Sequence, residues 1–461
     1  MPKDAGLEAP TYRASKPISR ATIIAYCVPM AGFGLLTLPF SIWLMKFSTD
    51  VLLIAPATFG ALLMVGRIWD AISDPIVGFL SDRSNAKAGR RRSWMLASAI
   101  PIFVTTVALW SPPWMLEGTA LVLWVGAALL LYETALTAFA IPYGALGMEL
   151  TEDYHERTRI FGYRHVIAAL GSIFGLGAVY LMRTAEEPRI TALIVAACAS
   201  GVLASSILYA SRRLPERTDF RGRGSESIAK SFADVFRNPH GRLLFLVYGV
   251  ETFGAASIGV LAPYVMQYVV KQPDLNEAFI LMYFIPQFAL TPIWIRLSKK
   301  YSKKSLWVFS MSALTVGYSL IFFIGDQSFW YLFICVFLLG LGGGCGNVIA
   351  PAIQADVIDY DEYLTGERKE GAYTAIWNFI RKAAAGVAAG ITGFVLQYSG
   401  YVPNADDQSE AVKFSMMALI GLVPAVCYAF GTLMFMRFSL NQREHARISA
   451  ILRERRSANE E

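Results

Sequence analysis

At 461 residues, with 55% hydrophobic and only 16% charged side chains, the chain is too apolar for a soluble enzyme or scaffold, since soluble domains carry about a quarter charged residues. Its net charge of +6 does not point to nucleic acid, because the basic residues gather in the segments between apolar runs. The five cysteines, Cys27, Cys198, Cys335, Cys345 and Cys427, all fall in apolar runs without CxxC spacing, which predicts neither a metal site nor a disulfide framework. The first twenty residues are polar, with Lys3, Arg13, Lys16 and Arg20, and show no secretory signal.

Twelve apolar runs follow, each close to the roughly 20 residues that a membrane span needs. They lie near 20–47, 52–80, 93–111, 118–148, 160–182, 190–211, 243–269, 277–296, 305–324, 329–355, 371–398 and 412–436. The expected fold is an all-α polytopic membrane protein of twelve transmembrane helices in two six-helix halves, 1–211 and 243–461, around a central loop 212–242. Of the 41 Lys and Arg residues, 32 lie in the tails and the loops on their side, and only Lys46, Arg183, Arg189, Lys271 and Lys413 lie on the other. That asymmetry places both termini and the central loop in the cytoplasm, in a cell (inner) membrane. Within the central loop, Ile228, Phe232, Val235 and Phe236 share one helical face and suit a surface helix. The tail 441–456, with Ile448, Ile451 and Leu452 on one side, suits another.

In chain order, the first charged span is the second. GRIWDAISDPIVGFLSDRSNAKAGRRR sets Arg67, Asp70 and Asp74 on one helical stripe and ends in Arg90, Arg91 and Arg92. Charge within a span costs about 2.5–3.5 kcal/mol per residue on the lenient insertion scale, so such a stripe faces partners or water. Asp74 lies eight residues before Asp82, about 12 Å along a helix. Span 4 carries Glu133 and Thr137 one turn apart, then Pro142; span 5 carries Arg164 on a small-residue face with Ala168 and Ser172. Span 7 carries Glu251, span 8 Gln287 and span 10 Asn347. Span 11 carries Thr374, Asn378 and Lys382 at four-residue intervals, a polar stripe beside Trp377. Pro75 and Pro292 close spans 2 and 8 before basic loops, and prolines also mark spans 4 and 10, so the halves read as a weak repeat. Carriers built this way bind substrate between the halves near the midplane. Acids from the first half and a base from the second meeting there would suit cation coupling, because close carboxylates repel and invite a cation.

Three segments, GRIWDAISDPIVGFLSDR with GRRR, IPYGALGMELTEDYHERTRIFGYR and ADVIDYDEYLTGERKEGAYTAIWNFIRK, resemble the glycoside–pentoside–hexuronide:cation symporters of the major facilitator superfamily. The resemblance covers essentially the whole chain. It implies a cation site at Asp70, Asp74 and Thr137, and it aligns Arg164 and Lys382 with the family's span 5 arginine and span 11 lysine. Where melibiose carriers hold a span 4 aspartate, a span 1 aspartate and a span 10 tryptophan, this chain aligns Ala140, Gly34 and Asn347.

The expected function is therefore secondary active, cation-coupled symport of a sugar or glycoside-like solute by alternating access. Cation coupling is assigned to Asp70, Asp74, Thr137 and Glu133; substrate binding to Arg164, Lys382, Asn378, Thr374, Asn347, Trp377 and Glu251; gating to Asp82, Arg90, Arg91 and Arg92. No tightly bound cofactor is expected, only H⁺ or Na⁺ as coupling ion, with the proton favoured because Ala140 removes a ligand that sodium would need. The expected partners are a small-molecule substrate and membrane lipids, and the carrier is expected to act as a monomer. Transport of lysolipids or other amphiphiles is the alternative within the family. An intramembrane prenyltransferase, with Asp70 and Asp74 as one metal-diphosphate motif and Asp356, Asp359 and Asp361 as the second, is the alternative outside it.

Overall fold

The apolar runs fold as helices, and several of their prolines coincide with breaks. The computed structural model describes residues 18–84, 86, 89–151, 154–216, 235, 237–324, 329–366, 369–440 and 442–460. The first run is three helices in line, α1 (Arg20–Cys27), α2 (Pro29–Ile42) and α3 (Leu44–Asp50), with Pro29 opening α2 where its missing N–H is no loss. Then follow α4 (Pro56–Asp82), α5 (Arg90–Trp110), α6 (Gly118–Glu149), α7 (Tyr154–Thr184) and α8 (Pro188–Arg213). The second set begins with α9 (Pro239–Tyr268), capped by the Asn238 side chain, which accepts from the amides of His240 and Gly241. Next come α10 (Asn276–Ala289) and α11 (Thr291–Ser298), one run broken at Leu290 between Pro286 and Pro292. They are followed by α12 (Lys303–Phe322), α13 (Phe329–Thr365) and α14 (Glu370–Tyr398). The last run is α15 (Glu410–Met417) and α16 (Val423–Phe435), joined by a π-helical turn over Ala418–Leu422 just ahead of Pro424.

Among the described residues, eleven helical stretches are long and apolar enough to cross a membrane. α4 is not one of them, although its 27 residues reach about 40 Å; it carries Arg67, Asp70, Asp74 and Asp82. The C-terminal tail is helical as expected: α17 (Gln442–Glu460) buries Ile448 and Leu452 and packs on α13. Most of the surface helix expected near 228–236 lies outside the described residues.

α2 packs on α7, and α5 on both α6 and α8; in the second set α12 packs on α13, and α9 on both α14 and α16. The most extensive packing of all joins the two sets, α4 against α14. Glycines allow it. A Cβ on Gly60 would stand 2.9 Å from the Ala389 carbonyl oxygen and 3.0 Å from Gly393 Cα, and one on Gly386 would stand 2.6 Å from Arg67 Cβ. Backbones approach this closely only where side chains are missing.

The bundle has a basic end, where the loops after α4, α6, α8, α11 and α13 lie, and a far end. At the far end the first set is tied to the second. The hydroxyls of Thr49 and Tyr264 are 2.8 Å apart, Tyr401 donates to Asp50 at 2.7 Å, and Asn404 donates to the Asp50 carbonyl at 2.7 Å. Arg183 also reaches Asp274 at 3.1 Å and Glu277 at 3.4 Å. At the basic end, Lys303–Asp356 at 2.7 Å, His445–Asp359 at 3.0 Å and Asn238–Tyr373 at 2.8 Å each join helices of the second set alone.

Candidate functional site

α4, α6 and α14 converge on one cluster of charge. The helical stripe expected on α4 is present: Asp70 is buried and Asp74, one turn on, keeps 22% of its side chain exposed. From α6 the Thr137 hydroxyl lies 2.9 Å from Asp70 Oδ1 and 3.2 Å from Asp74 Oδ1. It holds one proton, so it donates to one carboxylate at a time. From α14 the Lys382 ammonium lies 2.9 Å from Asp70 Oδ2 and hydrogen-bonds Asp74 Oδ2 as well. One step further along α4, Arg67 reaches Glu133 of α6 at 3.2 Å and Asp70 at 3.8 Å. The Trp69 indole donates to Thr134 at 2.7 Å and fastens α4 to α6 beside the cluster.

With all groups ionised, three acids (Asp70, Asp74, Glu133) face two bases (Arg67, Lys382), leaving one negative charge. Buried charges are tolerated when paired and hydrogen-bonded. One uncompensated acid next to a partly open carboxylate leaves room for one monovalent cation.

The structure brings together Asp70, Asp74, Thr137, Glu133 and Lys382, with Arg67 as the added member. Thr374 and Asn378 are exposed on α14 on the approach to Lys382. Trp377 is turned toward α9, where its ring stacks on Tyr248 at 3.6 Å between centroids; nothing in the sequence singled out Tyr248. Arg164 of α7 is held by the Tyr26 hydroxyl at 3.3 Å, and Tyr26 in turn stacks on Tyr143 at 4.6 Å. Asn347 donates to Gln287 at 3.0 Å, joining α13 to α10. Glu251 is buried within the second set, where a Cβ on Gly431 of α16 would stand 3.4 Å from its Cγ, so it stands apart from the Asp70 cluster.

The residues expected to gate bond within the first set. Arg91 pairs with Asp82, donates to Ser81 at 2.8 Å and lies 3.4 Å from Glu149, which Arg90 meets at 2.6 Å. Arg92 donates to the Ser211 carbonyl at 2.5 Å. Together they bind the basic ends of α4, α5, α6 and α8, with Glu149 as an unforeseen acid. Gly34, aligned with a span 1 aspartate, lies at the α2–α7 crossing, where a Cβ would stand 2.8 Å from the Ser172 amide. A carboxylate side chain does not fit there.

Comparison with known proteins agrees with this architecture. A family model described as MFS/sugar transport protein matches residues 25–442. An uncharacterised symporter of Bacillus subtilis, YjmB, is 28% identical over 421 residues, covering 88% of this chain and 89% of the relative. The putative glycoside/cation symporter YagG of Escherichia coli is 25% identical over 412 residues, covering 88% of each. Among solved structures, a D-xylose-proton symporter superposes with a TM-score of 0.63 at 13% identity, over 91% of this chain and 98% of that one. The chain belongs to the MFS/sugar transport family, among the glycoside–pentoside–hexuronide:cation symporters of the major facilitator superfamily, and is a multi-pass membrane carrier rather than an intramembrane prenyltransferase.

Proposed function

We propose that the carrier couples proton entry to uptake of a sugar or glycoside through the Asp70–Asp74–Lys382 cluster. The observation that carries this reading is the Lys382 ammonium, which comes from the second set of helices and bridges both aspartates of the first. An internal cation thus occupies the place a transported cation takes. A proton on Asp74, the more exposed of the pair, removes half of the charge that holds Lys382. Lys382 is then released toward Asn378 and Thr374, which lie one and two turns away on the same face. Loss of that bridge loosens α14 from α4 and frees a polar side chain for substrate.

The proton is the preferred ion because the oxygens of both aspartates already accept from Lys382 and Thr137. Sodium is a hard cation that needs several oxygen ligands at once, and Ala140, on the α6 face of Thr137, offers none. In this reading α4 is the twelfth span, its charges turned to α6 and α14. Both termini and the basic end face the cytoplasm. The other family reading, an amphiphile carrier, gains nothing from this cluster. The test is uptake into proteoliposomes from a panel of sugars and glycosides under an imposed pH or sodium gradient. Accumulation driven by the pH gradient, and abolished by a protonophore, is the expected result. Stimulation by sodium that survives the protonophore would reverse the ion assignment.

A further inference from the structure

We infer that Glu251 is a second proton site of the carrier, in series with Asp74: the proton that enters on the aspartate passes to Glu251 and leaves from there. This rests on the proton-coupled reading above.

Glu251 is an acid at membrane depth that the central cluster does not use. The residue is 8% exposed, and its Oε1 is sealed from solvent without a hydrogen-bond partner. Among the described residues, no Lys, Arg or His nitrogen lies within 4.0 Å of its carboxyl. Glu133, the comparable acid of the first set, has Arg67 at 3.2 Å. The walls around Glu251 are the Trp307 indole of α12, the Tyr428 phenol of α16 and the bare backbone of Gly431, where a Cβ would stand 3.7 Å from Oε1. The other titratable groups nearby are Tyr248 on α9 itself, Cys427 on α16, and Tyr318 on α12, whose ring stacks on Tyr428 at 5.4 Å. None of these is a cation; Arg381 of α14 is within electrostatic reach of Tyr248.

A carboxylate anion with neither a cation nor a donor is too costly for such a place. Sodium would need several oxygen ligands, which these walls do not offer. A proton is the ligand that fits. A glutamine would fill the same space and face the same indole, so what the acid adds is a proton that it can give up. An ionisable side chain at this depth is retained for a pathway.

The position links Glu251 to the central cluster. Glu251 and Lys382 are each the thirteenth residue of their helix, α9 and α14, which pack together and both run inward from the basic end. The two residues therefore stand at one depth, about 18 Å from that end. Tyr248, one turn before Glu251 on the same face, is within its electrostatic reach and stacks on Trp377. Trp377 precedes Asn378, which lies one turn from Lys382. The transfer balances: an O–H bond breaks at Asp74, one forms at Glu251, and the negative charge left on Asp74 recaptures Lys382. The described state is the one after that transfer, with Lys382 on both aspartates and Glu251 closed off. As the halves rock, Glu251 loses the proton to cytoplasmic water; an ionised Glu251 needs water, so its pocket opens in the other state. One proton crosses per cycle, and loss of either station stops accumulation.

Two measurements on the full-length carrier test this. In lipid without any solute, infrared spectra at neutral pH should show the carbonyl stretch of a protonated, weakly hydrogen-bonded carboxyl, and Glu251→Gln should lose that band. Should the amide variant fail to fold, Glu251→Asp, which shifts the band, assigns it instead. In proteoliposomes, with the panel sugar that the native carrier takes up, Glu251→Gln should keep exchange of labelled for unlabelled sugar within a few-fold of the native rate and lose accumulation under a pH gradient. Glu251→Asp, shorter but still an acid, should regain part of that accumulation, which a packing role would not restore. Glu251→Gln accumulating like the native carrier while Asp74→Asn does not, or a native carrier without the band, would overturn the inference and leave the carrier reading standing. Failure of the native carrier to accumulate any sugar of the panel under any cation gradient would overturn both.

Discussion

Two lysine–aspartate clusters join the two sets of helices, and they differ in charge balance. At the far end, Lys46 pairs with Asp50 at 2.6 Å, with only 5% and 9% of their side chains exposed. The Lys46 ammonium lies 4.5 Å and 5.0 Å from the ring centres of Tyr264 and Tyr268, and Tyr401 donates to Asp50. One acid meets one base, both are sealed by aromatic rings, and an incoming ion has no charge to neutralise. In the middle, three acids meet two bases, and Asp74 is open to water. In the reading proposed above, the balanced and enclosed pair serves as a clasp, and the unbalanced, partly hydrated one as an exchange site. Removing one partner of either leaves a buried charge uncompensated, but only the central cluster gains from an added cation.

The largest effect is expected from Lys382→Ala. It leaves Asp70 and Asp74 side by side without their shared ammonium, and a broken buried pair costs about 3–5 kcal/mol. Thermal unfolding in detergent should show a large loss, and adding Asp74→Asn should restore much of it. No rescue by the second change would mean that the lysine stabilises the fold through packing alone.

A smaller effect is expected at the clasp. Tyr401→Phe removes one hydrogen bond to a charged group, worth about 1.5–3 kcal/mol, and should move the population toward a state open at the far end by about tenfold or more. Labelling of a cysteine placed at position 57, beneath Gln397, should accelerate accordingly. If labelling is unchanged, the pair does not hold the far end shut.

The smallest effect is expected at Asp407, on the loop between α14 and α15. Its carboxyl lies below the usual carboxylate range because Lys413 and the Gln408 amide donate to it. A lowered folded-state value stabilises the fold above the unfolded one, and that gain is lost as pH falls through the folded value, below about pH 4. Asp407 is fully exposed, so solvent screens the pair. Asp407→Asn should leave neutral-pH stability unchanged; a clear loss there would show that this loop belongs to the clasp.

Much of the central cluster was legible in the sequence because its members announce themselves. Charges on a 3–4 residue stripe in an apolar run, as in α4, and polar residues at four-residue intervals, as in α14, have few structural uses in a membrane. The clasp was not legible. Thr49 and Tyr264 lie 215 positions apart, and Asp50 and Tyr401 lie 351 apart. Lysines and tyrosines at the ends of spans also read as ordinary interface anchors. Gly34 shows a different blind spot. Alignment sets it opposite an acid, whereas only the α2–α7 crossing reveals that a side chain has no room. Glu251 stands alone in its run, so no spacing tells which face it takes, and the fold turns it to α16 rather than to the Asp70 cluster. The partner of the Arg90–Arg92 segment, Glu149, lies 59 residues from Arg90 and became visible only when α5 met α6.

The most direct test of the exchange site compares two modes of transport in Asp74→Asn. Exchange of labelled for unlabelled substrate across the membrane needs the substrate site and the conformational change but no net movement of the coupling ion. Accumulation against a gradient needs the ion as well. The amide keeps the size of the side chain and removes the charge that a proton would neutralise. Exchange should persist within a few-fold of the native rate, while accumulation under a pH gradient falls to the level of equilibration. Accumulation equal to that of the native carrier would place the coupling ion elsewhere and contradict the account.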